Sequence, residues 1–259
     1  MTTAETGARR GDGGPRAGRL YVVGFGPGDP LDRTRRAEEA IRRSDVVVGY
    51  TPYVDAVADL LDGKEAIRSG MRQEVDRCRD ALRRAAAGAV VALVSSGDAG
   101  IYGMAGPALE VRAAEGLDVP VEVIPGVTAA QAAAARLGAP LMQDTAIVSL
   151  SDLLTPWEAI RARLEAAAAA DFVVALYNPR SRKRVRQLEE AVGILLAHRP
   201  AGTPVGIGTA VGAAEEHMVQ TTLGRLLEEE VNMRSVVLIG NRSTKATDGW
   251  LVTPRGYAV

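Results

Sequence analysis

From Arg19 onward, short apolar runs alternate with longer segments in which apolar residues return at helical spacing, the pattern of an α/β fold with largely parallel strands. The runs predict strands over Leu20–Gly24, Asp45–Gly49, Ala89–Ser95 and Val121–Ile124. Helices are predicted between them, near Thr34–Arg43, Pro52–Leu60, Arg72–Ala87 and Ala105–Glu115. In the third helix Met71, Val75, Cys78 and Leu82 recur at the spacing of one buried face, which makes Cys78 a core residue rather than a reactive thiol. The stretch "IPGVTAAQAAAARLGAP", Ile124–Pro140, combines a Pro-Gly turn, an Ala-rich helix and a Gly138/Pro140 stop, and reads as a joint.

A second α/β region follows the joint. Its strands are predicted near Ala146–Leu150, Phe172–Tyr177, Val205–Thr209, His217–Thr221 and Val236–Gly240, and its helices near Pro156–Ala169, Arg182–His198 and Leu223–Glu229. From Asn241 the chain turns polar and reads as loose. The expected division is a disordered tail at 1–18, an N-terminal α/β domain at 19–125, a C-terminal α/β domain at 126–245 and a tail at 246–259.

Composition narrows the function classes. The formal net charge of −1 argues against general attraction to nucleic acid or anionic membrane. One cysteine and two histidines, His198 and His217, leave no cluster at metal-ligand spacing, so no protein-bound metal is expected. No run approaches the ~20 apolar residues of a membrane span. The first residues carry an Arg pair without an apolar segment behind it, so a secretory signal is not expected and the cytoplasm is the expected compartment.

Four strand ends carry the candidate chemistry. The first, "GFGPGDP", has the look of a phosphate loop, yet Pro27 removes an amide donor and Asp29 sets a carboxylate where a phosphate would sit. A bland alternative is a tight turn that Asp29 caps. The second, "VSSGDAGIYGMAG", lies at the carboxyl end of an apolar strand, where open α/β sheets bind ligands. Asp98 there is either a ligand contact or an Asx-turn residue. In the third, "IPGVTAA", Thr128 is a ligand contact or simply an N-cap. In the fourth, "ALYNPRSRKRVRQ", the run from Arg180 to Arg186 is a polycarboxylate receptor or a solvated helix face.

Taken in this order and spacing, "GFGPGD", "SSGDAGIYG", "IPGVTAA" and "LYNPRS" resemble the tetrapyrrole methylases, and most closely their precorrin-3B C-17 methyltransferase subgroup in cobalamin biosynthesis, over about residues 20 to 244. The resemblance implies two consecutive α/β domains with an interdomain cleft, a homodimer, S-adenosylmethionine as cofactor and a tetrapyrrole as substrate. Carried over by motif, Gly97, Asp98, Ile101, Tyr102, Gly103, Thr128, Ala129, Tyr177, Asn178, Thr209 and Ala210 would hold the cofactor. Pro27, Gly28, Gln143, Asp144, Arg180 and Ser181 would face the macrocycle, with Asp29 as the candidate for proton handling. The resembled relatives read His-Asp-Phe where this chain has Gln143, Asp144 and Thr145, and a glutamine keeps a hydrogen bond but does not titrate.

The implied reaction is methylation of carbon 17 with contraction of the ring. A sister methylase acting on another corrin carbon or on uroporphyrinogen would share the cofactor segments and differ in the substrate-facing loops. A nicotinamide-dependent oxidoreductase would instead require the opening loop to bind phosphate, and a regulatory homologue would bind cofactor without turnover.

Overall fold

The computed structural model describes residues 18–258, so the disordered tail expected at 1–18 lies, but for Gly18, outside the described residues. Five strands, β1 (Arg19–Gly24), β2 (Val46–Tyr50), β3 (Glu65–Ser69), β4 (Val90–Ser95) and β5 (Val121–Ile124), form a parallel sheet in the order β3-β2-β4-β1-β5. The inner strands read as nearly unbroken apolar runs because helices cover both faces. Helices α1 (Arg35–Arg43) and α2 (Thr51–Asp55) cover one face, around Ile41, Val54 and Val94. Helices α3 (Glu74–Ala86) and α4 (Ala105–Ala114) cover the other, around Leu82, Leu93 and Ala108.

Two details differ from the sequence pattern. Strand β3 is absent from it because "EAIRS" is an edge strand, half-exposed along its length and poor in apolar residues. The inward face of α3 runs through Arg77, Cys78, Ala81, Leu82 and Ala85, whereas Met71 precedes the helix and Met71 and Val75 are 59% and 51% exposed. Cys78 is fully buried as expected, and burial pushes its thiol up to about 11.

Helix α5 (Ala129–Leu137) and the two-residue strand β6 (Gly138–Ala139) lead into the second sheet. Its strands are β7 (Thr145–Ser149), β8 (Val173–Tyr177), β9 (Pro204–Thr209), β10 (His217–Thr222) and β11 (Ser235–Ile239), in the order β10-β9-β11-β8-β7. Strands β7 and β8 are parallel, but β11 enters antiparallel between β8 and β9, and β10 pairs antiparallel with β9. The second sheet is therefore mixed rather than largely parallel. The short loop from Thr209 to His217 leaves no room for a crossover helix. Helices α6 (Trp157–Ala169) and α7 (Arg186–His198) pack on one face, and α5 packs on the other.

The expectation of a loose segment after Asn241 is corrected. Strands β12 (Lys245–Thr247) and β13 (Trp250–Val252) form a hairpin around Asp248 and Gly249, both with positive φ as a two-residue Asp-Gly turn requires. Strand β13 pairs with β6, Leu251 is buried against α5, and the Thr253 hydroxyl donates to the Pro140 carbonyl at 2.6 Å. Among the described residues no helix is long and apolar enough to cross a membrane.

Candidate active site

The carboxyl ends of β1, β4 and β5 meet with almost no side chains between them. Gly26 N–H donates to the Gly97 carbonyl at 3.1 Å, and Gly97 N–H returns a bond to the Gly26 carbonyl at 2.7 Å. A Cβ on Gly126 would lie 2.2 Å from the Gly97 oxygen, and one on Gly24 2.6 Å from Ala99 N. Much of the glycine pattern of these loops is thus demanded by backbone lying on backbone. The Gly26 amide, consumed by Gly97, is not free for a phosphate.

Asp98 closes this junction. One carboxylate oxygen accepts from Gly100 N–H at 2.8 Å, which makes the Asx-turn, and the other accepts from Gly126 N–H at 3.0 Å. Gly103 packs within the same loop, where a Cβ would meet the Asp98 and Ala99 carbonyls at 2.6 Å. Asp29 makes the capping contact: its carboxylate accepts from Leu31 N–H at 2.8 Å and starts a short 3-10 turn, Pro30–Asp32.

On the second-sheet side, side chains do the joining. The Tyr177 and Thr128 hydroxyls lie 2.6 Å apart, and the Tyr177 oxygen accepts from Ala130 N–H at 2.9 Å. Thr128 occupies the N-cap position of α5 without a side-chain cap bond, because its hydroxyl is committed to Tyr177. Burial raises the Tyr177 phenol, so it stays protonated at neutral pH. Tyr102 crosses from the first-sheet loops to β7, donating to the Ile147 carbonyl at 3.2 Å and accepting from Ser149 N–H at 3.0 Å. Its ring lies 5.5 Å from that of Tyr177. The Asn178 amide donates to the Ser149 hydroxyl at 3.1 Å.

These strand ends enclose a cavity of about 570 Å³ between the two sheets. Among the described residues six non-glycine positions have positive φ, and three of them, Tyr102, Asn178 and Ala210, line this cavity. Strained backbone of this kind concentrates at functional sites.

The structure brings together Pro27, Gly28, Gly97, Asp98, Ile101, Tyr102, Thr128, Ala129, Tyr177, Asn178 and Ala210 on the cavity wall. Gly103 and Thr209 stand just behind it, with the Thr209 hydroxyl 2.7 Å from that of Ser235. Asp29 adjoins the wall without lining it. The remaining candidates are elsewhere. Gln143 bonds the Pro254 carbonyl and Asn241, tying down the C-terminal hairpin, and Asp144 is exposed with its carbonyl bound to Val173 N–H. Arg180 and Ser181 do not line the cavity either, because Ser181 and Arg184 close a turn on each other through backbone and hydroxyl. Arg184 donates to the Asn178 carbonyl at 2.8 Å and, being desolvated, has its guanidinium pKa lowered. Helix α7 starts only at Arg186, after this turn.

Sequence reasoning missed two parts of the wall. Phe25, from the "GFGPGDP" loop, and Tyr53, from "GYTPYVD", meet edge-to-face at 6.0 Å and give an aromatic end to the cavity. Met233, Arg234 and Ser235 line it because β11 runs antiparallel, which brings its amino end beside the carboxyl end of β9, Ser235 opposite Thr209.

A family model for tetrapyrrole (corrin/porphyrin) methylases matches residues 19–227. The chain belongs to the tetrapyrrole methylase family. This methylase is 49% identical over 240 residues to a probable cobalt-factor III C(17)-methyltransferase of Salmonella typhimurium, covering 93% of the chain and 100% of the relative. It is 48% identical over 244 residues to the cobalt-factor III methyltransferase of Priestia megaterium, covering 93% of the chain and 45% of that relative, about half its length. A precorrin-3B C(17)-methyltransferase of Sinorhizobium is 43% identical over 249 residues, 93% of the chain and 98% of the relative. Among solved structures, the methyltransferase CobJ superposes with a TM-score of 0.87 at 37% identity, covering 92% of this chain and all of that one. A Thermus thermophilus uroporphyrin-III C-methyltransferase complexed with S-adenosyl homocysteine superposes with a TM-score of 0.66 at 25% identity, covering 86% and 92%.

Proposed function

We propose that this methylase transfers a methyl group from S-adenosylmethionine to carbon 17 of a cobalamin-precursor macrocycle, precorrin-3B or cobalt-factor III, with contraction of the ring. The observation that carries the proposal is the cavity between the two sheets, of a size suited to a small-molecule ligand, in a chain whose near-full-length relatives bear C17-methyltransferase names. The cavity suits an adenosyl sulfonium. Ile101, Ala129, Ala210 and the Tyr177 ring offer apolar wall, and Thr128, Asn178 and Asp98 offer polar groups at the strand ends.

S-adenosylmethionine, when bound, supplies an electrophilic methyl carbon. The chain's own work is to hold donor and acceptor aligned and to keep water from the cleft. Backbone contact at Gly26 and Gly97 fixes one wall, and the Thr128–Tyr177 bond fixes the opposite one, so both reactants meet preset surfaces. Pro27 and Gly28 present the opening loop to the macrocycle end, and the second oxygen of Asp29, not used in the cap, is proposed to handle a proton there. A homodimer belongs to the same proposal, and sedimentation equilibrium reads it directly.

The test is incubation with S-adenosylmethionine and either the cobalt-containing or the metal-free trimethylated precursor, followed by mass and absorption spectra. A ring-contracted tetramethylated product with release of S-adenosylhomocysteine is expected. A methylated product without contraction would reassign the chain to a sister reaction.

A further inference from the structure

Three charged side chains line the cavity: Asp98, Glu215 and Arg234. Asp98 already spends an oxygen on each of two backbone amides. Arg234 is thus the cation of the wall, and the basic run from Arg180 to Arg186 lies outside it.

The backbone of Arg234 is clamped and its side chain is not. Its N–H donates to the Asn232 carboxamide oxygen at 2.8 Å, and its carbonyl accepts from Ala210 N–H at 3.0 Å. The adjacent Ser235 hydroxyl is held by Thr209 and Asn232. The guanidinium makes one ion pair, from Nη2 to the Glu215 carboxylate at 3.1 Å, with the two side chains 59% and 70% exposed. An exposed pair of this kind contributes little, since water and salt compete with it. A guanidinium on a fixed stem with most of its donors uncommitted suits bidentate capture of a ligand carboxylate. Glu215 is the partner that such a carboxylate would displace.

We propose that Arg234 receives a side-chain carboxylate of the bound macrocycle, exchanging Glu215 for it, and that this pair tunes which carboxylate pattern the cleft accepts. The proposal rests on the methyltransferase reading of the cavity. The cofactor also carries a carboxylate, in its amino-acid tail, so the test has one arm for each source.

The full chain is titrated with S-adenosylhomocysteine by calorimetry and with uroporphyrin III, a polycarboxylate porphyrin, by fluorescence, with thermal melts to verify folding of each variant. Arg234→Gln should weaken uroporphyrin about tenfold, about 1.4 kcal/mol, and leave S-adenosylhomocysteine within about twofold. Glu215→Gln should tighten uroporphyrin a few-fold, by roughly 3 to 5, and lose most of that gain in the Arg234→Gln background. A loss confined to S-adenosylhomocysteine overturns the assignment in favour of the cofactor carboxylate. Unchanged affinities for both overturn it in favour of a surface pair. A wild-type chain that binds neither probe overturns the methyltransferase reading, and this inference with it.

Discussion

On the first-sheet side of the cavity three loops touch backbone to backbone, at Gly24, Gly97 and Gly126, and no side chain separates them. On the second-sheet side the joints are side chains: Tyr177 to Thr128, Asn178 to Ser149, Thr209 to Ser235. The first wall is rigid because there is no volume to spare. The second is adjustable, since each joint is a hydrogen bond that one substitution removes without a collision. A parallel sheet aligns all its carboxyl ends for the first kind of wall. The mixed second sheet adds the amino end of β11, and with it Arg234.

The largest expected effect is on the rigid wall. Gly126→Ala places a methyl carbon 2.2 Å from a carbonyl oxygen and 2.5 Å from another, both backbone. A loss of about 3 kcal/mol is expected by denaturant titration, of the order that overpacking costs. A melting curve unchanged from wild type would show that the loops move apart freely. Next is Asp29→Ala on the rim, for which product formation should be lost while S-adenosylhomocysteine still binds; unchanged turnover removes Asp29 from the chemistry.

On the adjustable wall, Tyr177→Phe strands the Thr128 hydroxyl and the Ala130 amide, at a cost of about 1–3 kcal/mol in stability, with weaker S-adenosylhomocysteine binding by calorimetry. A variant as stable and as tight as wild type would mean that water takes over the phenol's role. The core behind the rigid wall has its own pH signature. An unfolded Cys78 thiol ionises from near 9.0, while the buried one keeps its proton to about 11. The unfolded state therefore holds fewer protons in that window, and stability falls as pH rises through it and is unaffected below. Cys78→Ala should flatten this alkaline limb, and an identical limb in the variant would assign the loss elsewhere. The smallest effect is expected outside both walls: Arg182→Gln with Arg186→Gln should leave macrocycle affinity unchanged, in contrast to Arg234.

How far the sequence foretold this site follows from the same difference. Strand ends in a parallel sheet are legible, because each apolar run points its carboxyl end at the cleft, and Gly97 and Asp98, which follow β4, lie on the cavity wall for that reason. The edge strand β3 and the hairpin β12–β13 were not, since their residues are exposed and short of apolar pattern, although Asp248-Gly249 is a hairpin signal in plain view. Arg234 was illegible because a rule about carboxyl ends says nothing of a strand inserted backwards. Charge density pointed instead to the five cations from Arg180 to Arg186; the chain turns at Ser181, none of the five lines the cavity, and Arg184 bonds the carbonyl of Asn178, which does.

The direct test of the whole reading uses S-adenosylmethionine carrying an isotope-labelled methyl group, with the trimethylated precursor as acceptor and the product's ring carbons assigned by NMR. Label on carbon 17 of a ring-contracted product is the expected result. Label on any other ring carbon, or none transferred, contradicts it.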